Sequence, residues 1–158
     1  MDTETRVEPA RGVGDERELL DGWLDYYRAT ALHKCASLSA EQLVTRSCPP
    51  SPLSLIGLMR HLTEMERAYA HRLADPATPL LYCTEDNPDG DFEDIDIADV
   101  GADLDTFTEH CARSREIMAS LPLDGSLRWS YLYLIKEYAR HLGHADMLRE
   151  RIDGATGE

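Results

Sequence analysis

The sequence predicts an all-α fold: one four-helix bundle with a long crossover between its second and third helices. Three observations predict it. Four segments repeat apolar residues every three or four positions, no segment keeps the apolar–polar alternation of a strand, and turn-forming residues fall where the repeats stop. At 158 residues and 42% hydrophobic composition, the chain suits a single packed core. The expected organisation is a flexible N-terminus over 1–14, one bundle domain over 15–154 and a short tail over 155–158.

The first helix is expected from about Asp15 to Cys35. Asp15 and Glu18 have the spacing of a capping box, and Leu20, Trp23, Leu24, Tyr27 and Ala31 form its apolar stripe. A short helical turn near Ser39–Leu43 precedes the prolines of Cys48–Pro52, which break regular structure. The second helix begins near Pro52–Ser54 and runs to about Leu73, with Leu55, Leu58, Leu62, Met65, Tyr69 and Leu73 on one side; Asp75-Pro76 and Pro79 end it. The crossover, about Ala74 to Gly101, is dense in carboxylates between Glu85 and Asp99 and reads as a solvated loop. It lacks EF-hand ligand spacing and a closing Glu, so calcium is rejected. The third helix, about Ala102 to Ser120, carries Leu104, Phe107, Cys111 and Met118. After the turn Pro122–Gly125 comes the fourth, about Ser126 to Ile152, with Leu127, Tyr131, Leu134, Tyr138, Ala145 and Leu148 inward and Asp153-Gly154 as its stop.

Charge narrows the function. Thirty acidic against sixteen basic residues give a net charge of −14, which disfavours nucleic acid and anionic membrane surfaces as partners. No apolar run reaches the roughly 18–20 residues that span a bilayer, and Met1–Gly14 has no apolar core of a secretory signal, so a soluble cytoplasmic protein is expected. Cys35, Cys48, Cys83 and Cys111 lie far apart with no Cys-x-x-Cys pair; they read as reduced thiols, with no spacing for a structural zinc.

The six histidines are not equivalent. His33, His71 and His110 lie near helix ends or among polar residues and read as surface groups. On the fourth helix Leu134, His141 and Leu148 are seven apart, so His141 falls inside the apolar stripe, with Glu137 one turn before it. His144 lies one turn later, further toward the polar flank. His61 is on the flank of the Leu58, Leu62, Met65 stripe of the second helix. A buried carboxylate is costly unless paired or bound to metal, and two imidazoles with one carboxylate between helices form a candidate divalent-cation site. Such a donor set leaves the site near +1, which favours a hydroxide or thiolate in an open position. Periodicity leaves open whether His61 meets the other two, and a Glu-x-x-x-His pair by itself is commonly a simple hydrogen bond or ion pair.

Two stretches, SLIGLMRHLTEMER (54–67) and LRWSYLYLIKEYARHLGHADMLRERIDG (127–154), resemble the DinB-like superfamily, and most nearly its actinobacterial branch of mycothiol S-transferase-like proteins. The likeness extends over about Leu19 to Gly154, and the Glu137–Asp146 block EYARHLGHAD is its most specific part. The resemblance implies an up-down-down-up bundle holding a metal at one end. Its ligands would be a His on the second helix and a His/Glu-x-x-x-His pair on the last, carried here by His61, Glu137 and His141. It places His144 where a Gln usually stands, which makes His144 a substrate-side residue rather than a ligand. Tyr133 and Lys136 depart from relatives that often carry His and Glu there; Tyr133, one turn before Glu137, can still hydrogen-bond into the site.

The implied activity is a metal-dependent transferase of mycothiol or a similar low-molecular-weight thiol, attacking a small electrophile. The cofactor would be a divalent metal, zinc first, with nickel or iron as alternatives. His144 and Tyr133 would orient substrate or move a proton. The same residues serve two other readings: a metal-dependent hydrolase, and a non-catalytic metal-binding stress protein. The resemblance also implies a homodimer.

Overall fold

The computed structural model describes residues 6–156. Those of the predicted N-terminal extension and C-terminal tail at 1–5 and 157–158 lie outside it. Among the described residues the regular structure is all helical. Four long helices form the bundle. They are α1 (Glu16–Cys35), α3 (Leu55–Glu66, continued by a π-helical turn Arg67–His71 and a last turn Arg72–Ala74), α5 (Val100–Ser120) and α6 (Gly125–Asp153). Between them lie α2 (Ala40–Leu43) and, in the crossover, α4 (Gly90–Glu93) and a 3₁₀ turn at Ile97–Asp99.

Local chemistry sets the ends. Asp15 accepts the Glu18 amide while the Glu18 carboxylate accepts the Asp15 amide, the predicted capping box. Ser54 caps α3 through the Gly57 amide, so that helix starts at Leu55, slightly later than the prolines suggest. Asp124 caps α6 through the amides of Ser126 and Leu127, and Gly154, at φ +79°, closes it in the left-handed conformation.

Polar contacts at matched heights fix the directions. Glu16 pairs with Arg128 at one end of α1 and α6, and Lys34 with Asp146 near the other, so these two helices are parallel. Arg115 pairs with Asp25, and Arg17 donates to the carbonyls of Met118 and Leu121, so α5 runs against α1. Helix α3 runs with α5, as His71 donates to the His110 carbonyl and Arg60 lies 3.9 Å from Asp103. It runs against α6, where His61 meets His141 and Tyr69 meets Trp129. The course is up-down-down-up, and the long crossover makes α3 and α5 parallel neighbours. Leu24, Ile56, Phe107, Tyr131, Leu134 and Tyr138 are fully buried between the four. Burying each such side chain contributes about 1.5–3 kcal/mol.

Two expectations need correction. The acidic crossover is not simply a solvated loop. Three charged side chains about one turn apart on α3 strap it down. Arg60 donates to the Asp94 carbonyl and covers the Tyr82 ring, the Glu64 carboxylate accepts the amides of Leu81, Tyr82 and Cys83, and Arg67 donates to the Pro79 carbonyl. Asp91, in its middle, is only 3% exposed. Nor are His71 and His110 surface groups: His71 is buried, and His110 is half-buried against Arg67. The π-helical turn inserts extra backbone into α3 and so turns His71 inward toward α5. His33 is exposed, as expected.

The bundle core also holds a polar knot with no counterpart in the sequence reading. Arg28 of α1 makes two hydrogen bonds of 2.8 Å to Glu66 of α3, and the Tyr138 hydroxyl donates to the same carboxylate at 2.7 Å. Burial raises the Glu66 pKa, but the Arg28 charge and the hydrogen bonds from Arg28 and Tyr138 outweigh it, so the group ends below the usual carboxylate value.

Candidate metal centre

His61, Glu137 and His141 come together where α3 and α6 cross. Each offers one ligating atom, and these atoms all lie within 4.8 Å of one another. Glu137 and His141 stand on one face of α6 because they are four residues apart, with His141 Nε2 at 3.3 Å from Glu137 Oε2. His61 arrives from the antiparallel helix, its ring centroid 4.4 Å from that of His141. All three side chains are largely withdrawn from water, at 10–16% exposure.

His61 is held by a group the sequence did not single out. Its Nδ1 lies 2.8 Å from the Asp91 carboxylate, and Phe92 stacks on its ring at 5.2 Å. A carboxylate only accepts, so Nδ1 carries the proton and Nε2 is the ring nitrogen left to face a ligand. That Nε2 is buried and has no hydrogen-bond partner; His141 Nδ1 and His144 Nδ1 are in the same condition. Gly90 makes the placement of Asp91 feasible: a Cβ there would overlap the Tyr82 carbonyl oxygen. The Cys83 thiol also hydrogen-bonds to Asp91, and burial first of all pushes it up to about 11, so it stays protonated.

The electrostatics favour ligands in their binding forms. Burial, followed by the nearby His61, drives His141 down to about 4, so its imidazole is neutral at neutral pH. Burial alone would raise Glu137, but the Lys136 hydrogen bond and charge, the Tyr133 hydroxyl and His141 bring it below the usual value. Lys136 Nζ is 2.6 Å from Glu137 Oε1 and 3.7 Å over the Tyr133 ring. Tyr133 donates to Glu137 and accepts from Tyr69, which is itself raised to about 12 mainly by that hydrogen bond. His144 stands beside His141, ring centroids 5.4 Å apart, at the half-buried edge of the site.

The donor set fits a divalent cation. Two imidazoles and one carboxylate are ligands that zinc and its neighbours accept, and unpaired buried ring nitrogens are costly without a partner.

The mycothiol S-transferase family model matches residues 19–154, from α1 to the cap of α6. The chain belongs to the mycothiol S-transferase family. No curated protein and no solved structure matches it. The match takes in all four long helices and every group of the candidate centre. For this mycothiol S-transferase family member, Asp91 and Lys136 enlarge the set of side chains that act on the centre. The sequence showed Lys136 as a departure next to Glu137, but not the contact it makes with that carboxylate. Asp91 had no local signal: it is one acid among many in the crossover, thirty residues from the histidine it holds. No helix among the described residues is long and apolar enough to cross a membrane.

Proposed function

We propose that this chain is a metal-dependent transferase that joins a low-molecular-weight thiol to a small electrophile, with His61, Glu137 and His141 holding the cation and zinc as the metal. The observation that carries this reading is the convergence of those three side chains around a buried, unpartnered His61 Nε2. Membership of the mycothiol S-transferase family supports mycothiol as the thiol. When bound, a divalent cation supplies Lewis acidity that brings a thiol toward its thiolate near neutral pH.

The chain supplies the rest. Asp91 fixes the His61 tautomer and ring plane, and Phe92 covers that ring from water. The Tyr69–Tyr133–Glu137 hydrogen-bond chain holds the carboxylate in place. His144, with Nδ1 unpaired beside His141, takes the proton of the incoming thiol as sulfur forms its bond to the electrophilic carbon; the same proton then neutralises the leaving group or the new carbanion.

The test is metal content of the purified protein, measured with wild type, His61→Ala and His141→Ala, followed by mass spectrometry of products formed with and without mycothiol. One bound metal that is lost in both variants, and an S-conjugate that requires the thiol, are expected. Full metal retention in both variants overturns the ligand set. Product that forms equally well without thiol marks a hydrolase.

A further inference from the structure

Beside the centre, where the end of α3 faces the start of α6, lies a groove of about 450 Å³ lined by Tyr69, Arg72, Ser126, Trp129 and Ser130, among others. One wall is aromatic. The Trp129 and Tyr133 rings are stacked at 4.8 Å and 19°, and Tyr69 leans on both, at 5.8 Å from Trp129 and 4.1 Å from Tyr133. Trp129 is 54% exposed, far more than packing of the bundle requires of so large a ring. Ala68 and Leu73 add apolar surface, and the polar lining comes from two serines and from Arg72, whose Nε is anchored on the Thr78 carbonyl. The volume is that of a small-molecule site.

Tyr133 links the groove to the centre: its ring touches the lining residues Tyr69 and Trp129, and its hydroxyl reaches Glu137. Trp129, Tyr133 and Glu137 follow at four-residue steps on α6, and Tyr133 is both part of the aromatic wall and the hydrogen-bond donor to Glu137. Eight residues of helix put Trp129 about 12 Å from Glu137. An occupant reaching from one to the other is extended, with its reacting end at Glu137 and a separate recognition element on Trp129.

We propose that this groove binds the sugar portion of the thiol co-substrate, with Trp129 as the residue that selects a glycosylated thiol over a simple one. This rests on the thiol-transferase reading above. Mycothiol carries its cysteinyl group on a glucosamine joined to inositol, two saturated rings whose C–H faces lie flat on an aromatic ring while their hydroxyls turn to hydrogen-bonding side chains. Trp129 offers such a face, and the exposed Ser126 and Arg72 the polar rim. A neutral polyol also meets no repulsion from a chain of net charge −14, whereas an anionic occupant does.

Two measurements test it. The first is binding of sulfur-free N-acetylglucosaminyl-inositol, which is neutral like the sugar portion of the thiol, to the metal-free protein by calorimetry, which depends on neither metal nor catalysis. Saturable binding to wild type and to Trp129→Phe, lost in Trp129→Ala, is expected; no binding to wild type, or equal binding to Trp129→Ala, overturns the proposal. The second is steady-state kinetics with mycothiol and with N-acetylcysteine. Trp129→Ala is expected to raise the KM for mycothiol about tenfold, with the KM for N-acetylcysteine and the metal content unchanged. An unchanged KM for mycothiol, a shift confined to the KM of the electrophile, or a change of oligomeric state in Trp129→Ala overturns the assignment. Sugar binding without any thiol transfer leaves the groove in place and removes the transferase reading; transfer that ignores Trp129 does the reverse.

Discussion

His61 Nδ1 and the Asp91 carboxylate lie 2.8 Å apart, although thirty residues separate them along the chain. The pair joins the crossover to the candidate centre, so the segment that looks least structured in the sequence sets the orientation of one of the three side chains that meet there.

Replacing that carboxylate should therefore weaken metal binding without unfolding the bundle. Asp91→Asn is expected to lower affinity about 10- to 100-fold, the usual effect of losing the partner of a metal-bound histidine. Competition with a chromophoric chelator measures it, and unchanged far-ultraviolet circular dichroism separates it from misfolding. Affinity equal to wild type would show that Asp91 does not orient His61.

Lys136 acts in the opposite sense. Its ammonium, 2.6 Å from Glu137, occupies the carboxylate that a cation would share. Lys136→Ala should tighten metal binding about two- to fivefold, the scale of a single exposed ion pair, and leave thermal stability unchanged. The same chelator competition, run at low and high salt, reads the effect, which should shrink as salt screens the lysine.

The Arg28–Glu66 knot makes a prediction about stability rather than function. Both side chains are almost fully buried, so Glu66→Ala strands a guanidinium inside the bundle and should cost about 3–5 kcal/mol in urea unfolding. Removing both charges with Arg28→Met and Glu66→Leu should recover most of the loss. Comparable destabilisation in the double variant would mean that packing, not the unpaired charge, sets the cost.

Acid sensitivity should begin before the carboxylates titrate. Burial lowers the pKa of His71 and, together with Arg67, that of His110, both below the ordinary 6.5. In the window just below that value the unfolded chain binds more protons than the folded one, so stability falls as pH drops. The thermal midpoint of the metal-free protein should decline steadily from about pH 6.5 downward. In His71→Gln the early part of that decline should be smaller, and a profile identical to wild type would contradict the assignment. Glu66, held below its usual value, adds its own loss only when pH falls further.

What the sequence determined by itself is local. The three- and four-residue apolar repeats, the Asp15–Glu18 box and the Asp153-Gly154 stop specify four helices, because each depends only on residues within a turn or two. The pairing of Glu137 with His141 was legible for the same reason. The likeness around His61 pointed to a third ligand, but no periodicity places residues 76 positions apart in contact. The tertiary structure alone decided that meeting, by crossing α3 and α6 in opposite directions. It alone selected Asp91 from a run of similar acids, because selection came from the burial that Arg60, Glu64 and Arg67 impose on the crossover. It also turned His71 inward through a π-helical turn that a regular helical repeat does not encode. Short-range hydrogen bonds and side-chain spacing are written in order along the chain; long-range packing depends on every helix at once, and only the assembled bundle expresses it.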